Sequence, residues 1–174
     1  SEVNAASDSE NAVVFSHVSM AYASTSEEAL TDIDFTAKKG QTIGIIGGTG
    51  SGKSSVVNLI PRFYDVSKGS VLVNGRDVRD YDLTELRDKI GVVMQKAVLF
   101  QGTIAENLRW GKPDATDEEL WHAIEVAQAT DVVEGKEGKL DYMIEQGGRN
   151  LSGGQKQRLT IARAVVKDPD ILIL

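Results

Sequence analysis

The sequence predicts an α/β fold, and three observations carry that prediction. A glycine-rich loop, Gly47 to Gly52, sits between an apolar run, Thr42–Ile46, and a helix-compatible run, Ser54–Ile60. Short apolar segments alternate with amphipathic segments along the rest of the chain. Glycine and proline punctuate the junctions, at Lys39-Gly40, Pro61, Asn74-Gly75 and Pro169. Strands alternating with helices around a glycine loop define the class.

The elements follow in order. Residues 1–11 are small and polar and read as a linker or disordered terminus. Ala12 to Tyr22 has strand spacing, with Val14, Val18 and Met20 on one face and Val13 and Phe15 on the other. Leu30–Ala37 is a second strand, in which Ile33 and Phe35 alternate with Asp32 and Asp34. Thr42–Ile46 is the strand before the loop, and Pro61 kinks or ends the helix after it. Ser70–Val73 is a short strand closed by Asn74-Gly75. Asp82, Thr103 and Thr116, each followed three residues later by Glu, open helices as capping boxes. The helix from Thr116 runs to about Gln128, with Leu120, Ile124 and Ala127 inward. Ile90–Met94 is a buried strand, Gly153–Lys167 a helix stopped by Pro169, and Asp170–Leu174 the start of another buried strand. Trp110 and Trp121 read as packing residues.

Composition bounds the function. The 174 residues suffice for one domain with a sizeable core, and 41% hydrophobic with 26% charged residues is an ordinary globular balance. A net charge of −7 argues against nucleic acid as the main partner. Cysteine is absent, which excludes disulfides and thiolate metal sites. No apolar run approaches the length needed to span a bilayer.

The most specific stretch is Gly47-Gly48-Thr49-Gly50-Ser51-Gly52-Lys53-Ser54, a phosphate-binding loop by spacing. Phosphate oxygens need many donors and little bulk, which glycine backbone supplies. Lys53 can reach the β- and γ-phosphates, and the Ser54 hydroxyl can ligate Mg²⁺, with Ser55 following in the same turn. A second stretch, Leu151-Ser152-Gly153-Gly154-Gln155, puts a serine and two glycines at a helix N-terminus. That is a second anion-binding end, with free N–H groups and a hydroxyl donor.

With both stretches in place, the chain resembles the nucleotide-binding domain of ATP-binding-cassette (ABC) transporters, of the multidrug or lipid exporter type. Leu151–Gln155 matches the family's signature motif, Gly47–Ser54 its phosphate loop, Gln95 its Q-loop glutamine and Tyr22 its adenine-stacking aromatic. The segment Leu99–Leu108 matches the Phe-x-Gly-Thr-Ile-x-Glu-Asn run of exporters, and the likeness extends from about Val13 to Leu174. The resemblance implies a P-loop NTPase fold over residues 12–174, with an antiparallel β subdomain and an α-helical signature subdomain near 96–165.

It further implies ATP and Mg²⁺ as ligands, with Lys53 and Gln95 as catalytic groups and Ser54 and Gln95 at the metal. Tyr22, residues 47–55 and Ser152, Gly153, Gly154 and Gln155 would contact nucleotide, the last four on a neighbouring copy. A second nucleotide-binding domain, identical or different, and the coupling helices of a transmembrane part would be the partners. The latter would dock between Gln95 and Leu151. The location implied is the cytoplasmic face of the cell membrane, and the role is powering export.

Three departures qualify the match. The sequence stops at Leu174, before the aspartate and glutamate that the family places next and the histidine beyond them. The chain alone is therefore expected to bind nucleotide weakly, not to turn it over, and to have an incomplete sheet. Ile144–Asn150 departs from the Gly-Glu-Arg-Gly pattern of many exporters, and Pro61 interrupts the first helix. Two alternatives stay open: an ATP-holding regulatory cassette, and a non-transport ABC ATPase.

Overall fold

Strand propensity and hydrophobic alternation in residues 11–38 generate the first half of the structure. The computed structural model describes residues 10–48, 50–93, 96 and 98–174, which form two compact units dividing between Arg87 and Asp88. The first unit is built on a four-stranded antiparallel sheet. Its strands are β1 (Asn11–Ala21), β2 (Glu28–Lys38), β3 (Lys68–Val73) and β4 (Arg76–Asp77), in the order β2-β1-β3-β4.

The predicted faces of β1 are corrected by a bulge. Val13, Phe15, Val18 and Met20 are all buried, whereas Val14 is only partly so. The register slips between Phe15 and Val18 against β2 and between Ser16 and Ser19 against β3, and His17 has φ 48°. One extra residue at that point brings odd and even positions onto one side. Asp32 on β2 also has positive φ, and it meets the bulge: His17 Nδ1 lies 2.8 Å from Asp32 Oδ1, while the His17 N–H donates to Asp34 Oδ1 at 2.8 Å. Gly69 is required here, because a Cβ would stand 2.2 Å from the His17 carbonyl oxygen.

Asn74 and Gly75, both at positive φ, turn β3 into β4. Helix α1 (Lys53–Leu59) buries Val56 and Leu59 and ends before Pro61. Asp82 caps α2 (Leu83–Asp88) by accepting from the Thr84 and Glu85 N–H groups.

The expected strand Thr42–Ile46 is not formed. No strand pairs with it among the described residues, and Ile46 is 97% exposed. A strand of the parallel type is held by a neighbour's ladder and by apolar layers on both faces. The first unit's sheet runs β2-β1-β3-β4 and offers neither to this run.

The second unit packs helices α3 (Ile104–Arg109), α4 (Asp117–Val126), α5 (Thr130–Glu134) and α6 (Gly153–Val166) around one apolar cluster. Leu99, Ile104, Leu108, Leu120, Ile124, Ile144 and Leu159 are essentially excluded from solvent. Thr103 and Thr116 cap α3 and α4 as predicted, the latter in a complete capping box with Glu119. Strands β5 (Ile90–Val92) and β8 (Ile171–Ile173) pair in parallel, and β6 (Gly102–Thr103) pairs antiparallel with β7 (Met143–Ile144). Trp121 packs on the cluster, but Trp110 is 68% exposed and is not a packing residue.

Two outcomes follow. Ile124→Ala, at a fully buried position, should cost about 2–5 kcal/mol in denaturant unfolding; a loss below 1 kcal/mol would mean the cluster is not close-packed. The hydrogen bond to Asp32, aided by the Asp34 charge, raises the His17 pKa above its ordinary value of 6.5. Protonated His17 therefore favours the folded state: its contribution is complete below pH 6.5 and disappears as pH rises through the native pKa. A comparison of wild type with His17→Asn, which tolerates positive φ, should show a melting-temperature gap at pH 5.5 that closes at alkaline pH. A gap independent of pH would rule this out.

Candidate functional site

The glycine loop in the first unit uses its glycines in two ways. At Gly47 a Cβ would lie 2.4 Å from Ser51 Oγ, and at Gly52 it would lie 2.9 Å from Leu30 Cδ2 and 3.1 Å from the Ala29 oxygen. These two glycines let the loop close on itself and on β2. At Gly48 and Gly50 nothing lies within 4 Å of a Cβ, so their backbone faces open space. The Ser51 N–H donates to the Gly48 oxygen at 3.1 Å, and Gly50 and Gly52 adopt φ of 81° and 91°. Left-handed Gly52 starts α1, and no side chain caps it. The first-turn N–H groups of Lys53, Ser54 and Ser55 are thus left without a capping side chain. Lys53 is half-buried and Ser54 exposed. This donor set suits a polyphosphate: backbone N–H groups, the Lys53 ammonium, hydroxyl side chains, and no carboxylate in the loop. Thr49 and Gln95 lie outside the described residues.

Tyr22, just past β1, reaches this loop. Its hydroxyl shares a 2.7 Å hydrogen bond with Ser55 Oγ in the first turn of α1. Tyr64 meets its ring in a T-shaped contact, centroids 5.0 Å apart and planes at 89°. Sequence reasoning missed Tyr64, since no local pattern ties a residue beyond Pro61 to one at the end of β1.

In the second unit, Ser152 caps α6 in a complete capping box. Ser152 Oγ accepts from the Gln155 N–H at 3.2 Å, and Gln155 Oε1 accepts from the Ser152 N–H at 3.1 Å. The Ser152 hydroxyl proton stays available for donation. At Gly153 and Gly154 a Cβ would meet nothing within 4 Å, and neither has positive φ. The chain's own packing does not call for glycine at either position.

The same unit carries a groove of about 500 Å³ whose lining includes Val92, Val98, Phe100, Trp110, Arg163 and Lys167. Its rim is clamped by polar side chains, buried Asn107 and partly buried Arg163. Asn107 Oδ1 accepts from the Phe100 N–H at 2.8 Å, and its Nδ2 donates to the Phe100 and Thr103 oxygens. Arg163 donates to the Val98 oxygen at 2.9 Å and sits over the Phe100 ring; burial lowers its pKa. Phe100 and Trp110 stand 5.0 Å apart at the surface.

Comparison with known proteins agrees with this geometry. Residues 30–174 match the family model described as ABC transporter. A beta-(1→2)glucan export ATP-binding/permease protein, NdvA, of Rhodopseudomonas palustris is 50% identical over 93% of this chain. An export ATP-binding/permease protein of Bacillus subtilis, YgaD, is 43% identical over the same share. The chain spans about a quarter of such relatives, 27% and 28% of their lengths. A solved structure, a bacterial Atm1-family ABC exporter with ATP bound, superposes with a TM-score of 0.82 at 36% identity, over 94% of this chain and 28% of that one. With glycine-opened loop, capped signature helix and family match in agreement, this chain belongs to the ABC transporter family.

Proposed function

We propose that this chain binds Mg-ATP and, paired with a second such domain, hydrolyses it to drive export by a transmembrane part at the cytoplasmic face of the cell membrane. The carrying observation is glycine where neither packing nor backbone conformation calls for it: Gly48 in the loop, Gly153 and Gly154 at α6. Bare backbone at these points admits a close-approaching anion.

Each residue then has a role. Residues 47–55 hold the triphosphate through backbone N–H groups, Lys53 neutralises the β- and γ-phosphates, and Tyr22 stacks on the base. Bound Mg²⁺ would offset charge on the transferring group, and Ser54 and Gln95 would hold it. Gln95 also orients the attacking water. In the paired arrangement Ser152 and the Gly153 and Gly154 N–H groups of one copy donate to the γ-phosphate held by the other. Gln155 reaches the same nucleotide, with its Oε1 already bound to the Ser152 N–H. The groove beside Phe100 and Trp110 takes a helix of the transmembrane part, its apolar floor suiting an apolar helix face. Among the described residues no helix is long and apolar enough to cross a membrane, so that part would lie outside this chain.

In the full-length protein, Lys53→Ala should reduce phosphate release by at least about 100-fold. Full activity in that variant would eliminate the phosphate-loop assignment. Ser152 separates capping from donation. Asp is as good an N-cap as Ser, but as a carboxylate it cannot donate. Ser152→Asp should therefore keep the melting temperature while losing turnover. Retained turnover would assign Ser152 to capping alone.

A further inference from the structure

Tyr64 meets the Tyr22 ring in a T-shaped contact. It is absent from the motifs and sits on a turn built to hold it. We infer that Tyr64, a positioning residue, sets the tilt of the Tyr22 ring and thereby the affinity for the nucleobase end of the nucleotide; this rests on the reading of Tyr22 as the base-stacking residue.

Three observations support the inference. First, Tyr22 is fixed at two points. Its hydroxyl is held by Ser55, itself 5% exposed, and its ring is met by Tyr64 at 89°. One hydrogen bond leaves the ring free to swing about the hydroxyl, and a perpendicular neighbour removes that freedom. A T-shaped contact occupies at most one face of Tyr22 and leaves the other for a base.

Second, the turn carrying Tyr64 is clamped from outside. Arg87 donates to the carbonyl oxygens of Pro61 and Arg62, each at 3.0 Å, and its guanidinium lies 5.1 Å from the Phe63 ring centre. Arg62 pairs with Asp65 at 2.7 Å, across Tyr64. That pairing raises the Arg62 pKa and lowers that of Asp65. The Arg62 and Phe63 N–H groups bond back to Leu59 and Asn58 at the end of α1. Third, Tyr64 is 46% exposed, so core packing does not account for its aromatic ring.

The test uses the full-length protein with two probes, ATP and inorganic tripolyphosphate, under non-hydrolysing conditions. Tyr64→Ala should weaken ATP binding roughly three- to tenfold, the scale of one aromatic pair, and leave tripolyphosphate affinity unchanged. Tyr64→Phe, which keeps the ring, should restore ATP affinity. In a Tyr22→Ala background, Tyr64→Ala should add no further loss. Unchanged ATP affinity in Tyr64→Ala, or an equal loss for both probes, overturns the inference. If Tyr22→Ala weakens ATP and Tyr64→Ala does not, only the role of Tyr64 fails. If Tyr22→Ala itself leaves ATP affinity unchanged, the platform fails with it.

Discussion

A helix start leaves backbone N–H groups without intrahelical partners, and how each is satisfied organises this molecule. Thr103, Thr116 and Ser152 satisfy one apiece at α3, α4 and α6 by accepting from the third residue of the helix. At α1 the position is held by Gly52, which has no side chain to offer and adopts φ 91°. Glycine in place of a capping side chain costs only about a few tenths of a kcal/mol. The loop retains that cost, and its donors stay free for an anion. Helix α6 is intermediate: Ser152 spends one lone pair on the cap while keeping its proton, and Gly153 and Gly154 leave the helix start bare of side chains.

Aromatic groups at the surface follow a related rule. An exposed ring needs a rigid backbone beneath it if it is to present a fixed face. Phe100 is held through both of its backbone polar atoms by Asn107, 2% exposed, with Arg163 fixing Val98 two residues earlier. Tyr64 is held by Arg87 through the carbonyls of its turn. In both cases a planar, multi-donor or donor–acceptor side chain fixes main chain rather than another side chain. Exposed aromatics in the two units are thus fixed from below and open above.

How much of this was legible in the sequence depends on range. Caps and the α4 face are set within four residues. Thr103 and Thr116 cap their helices, the latter in a full capping box, and Leu120, Ile124 and Ala127 are buried as read. Helix α4 ends two residues short of the expected Gln128, as fraying helix ends do. The faces of β1 were misread because the bulge at His17 depends on Asp32, Asp34 and Gly69, which lie far along the chain. Thr42–Ile46 has the composition of a strand, but a strand also needs a neighbour, which composition does not supply. Trp110 was read as core from its residue type alone, but its ring is exposed and packs beside that of Phe100. The loop residues were legible as a motif, while the support given to Tyr22 by Ser55 and Tyr64 was not, since both contacts span more than 30 residues.

That distribution has a physical reason. Motifs mark where backbone must be bare, and bare backbone can be written only as glycine, so it shows in any sequence. Positioning is done by residues that have many alternatives: a hydroxyl under Tyr22, an arginine under a turn, an amide under Phe100. None of these is required by local conformation, so none leaves a pattern. The contrast between Gly47 and Gly48 makes the same point within one loop. Both read alike in sequence, yet a Cβ at the first would strike Ser51 Oγ at 2.4 Å, and at the second would enter empty space. A glycine that is sterically required reports on the fold, and one that is not leaves bare backbone facing open space. By that criterion Gly47, Gly52 and Gly69 let the chain fold around them, Gly50 is called for by its φ of 81°, and Gly48, Gly153 and Gly154 are required by neither packing nor conformation.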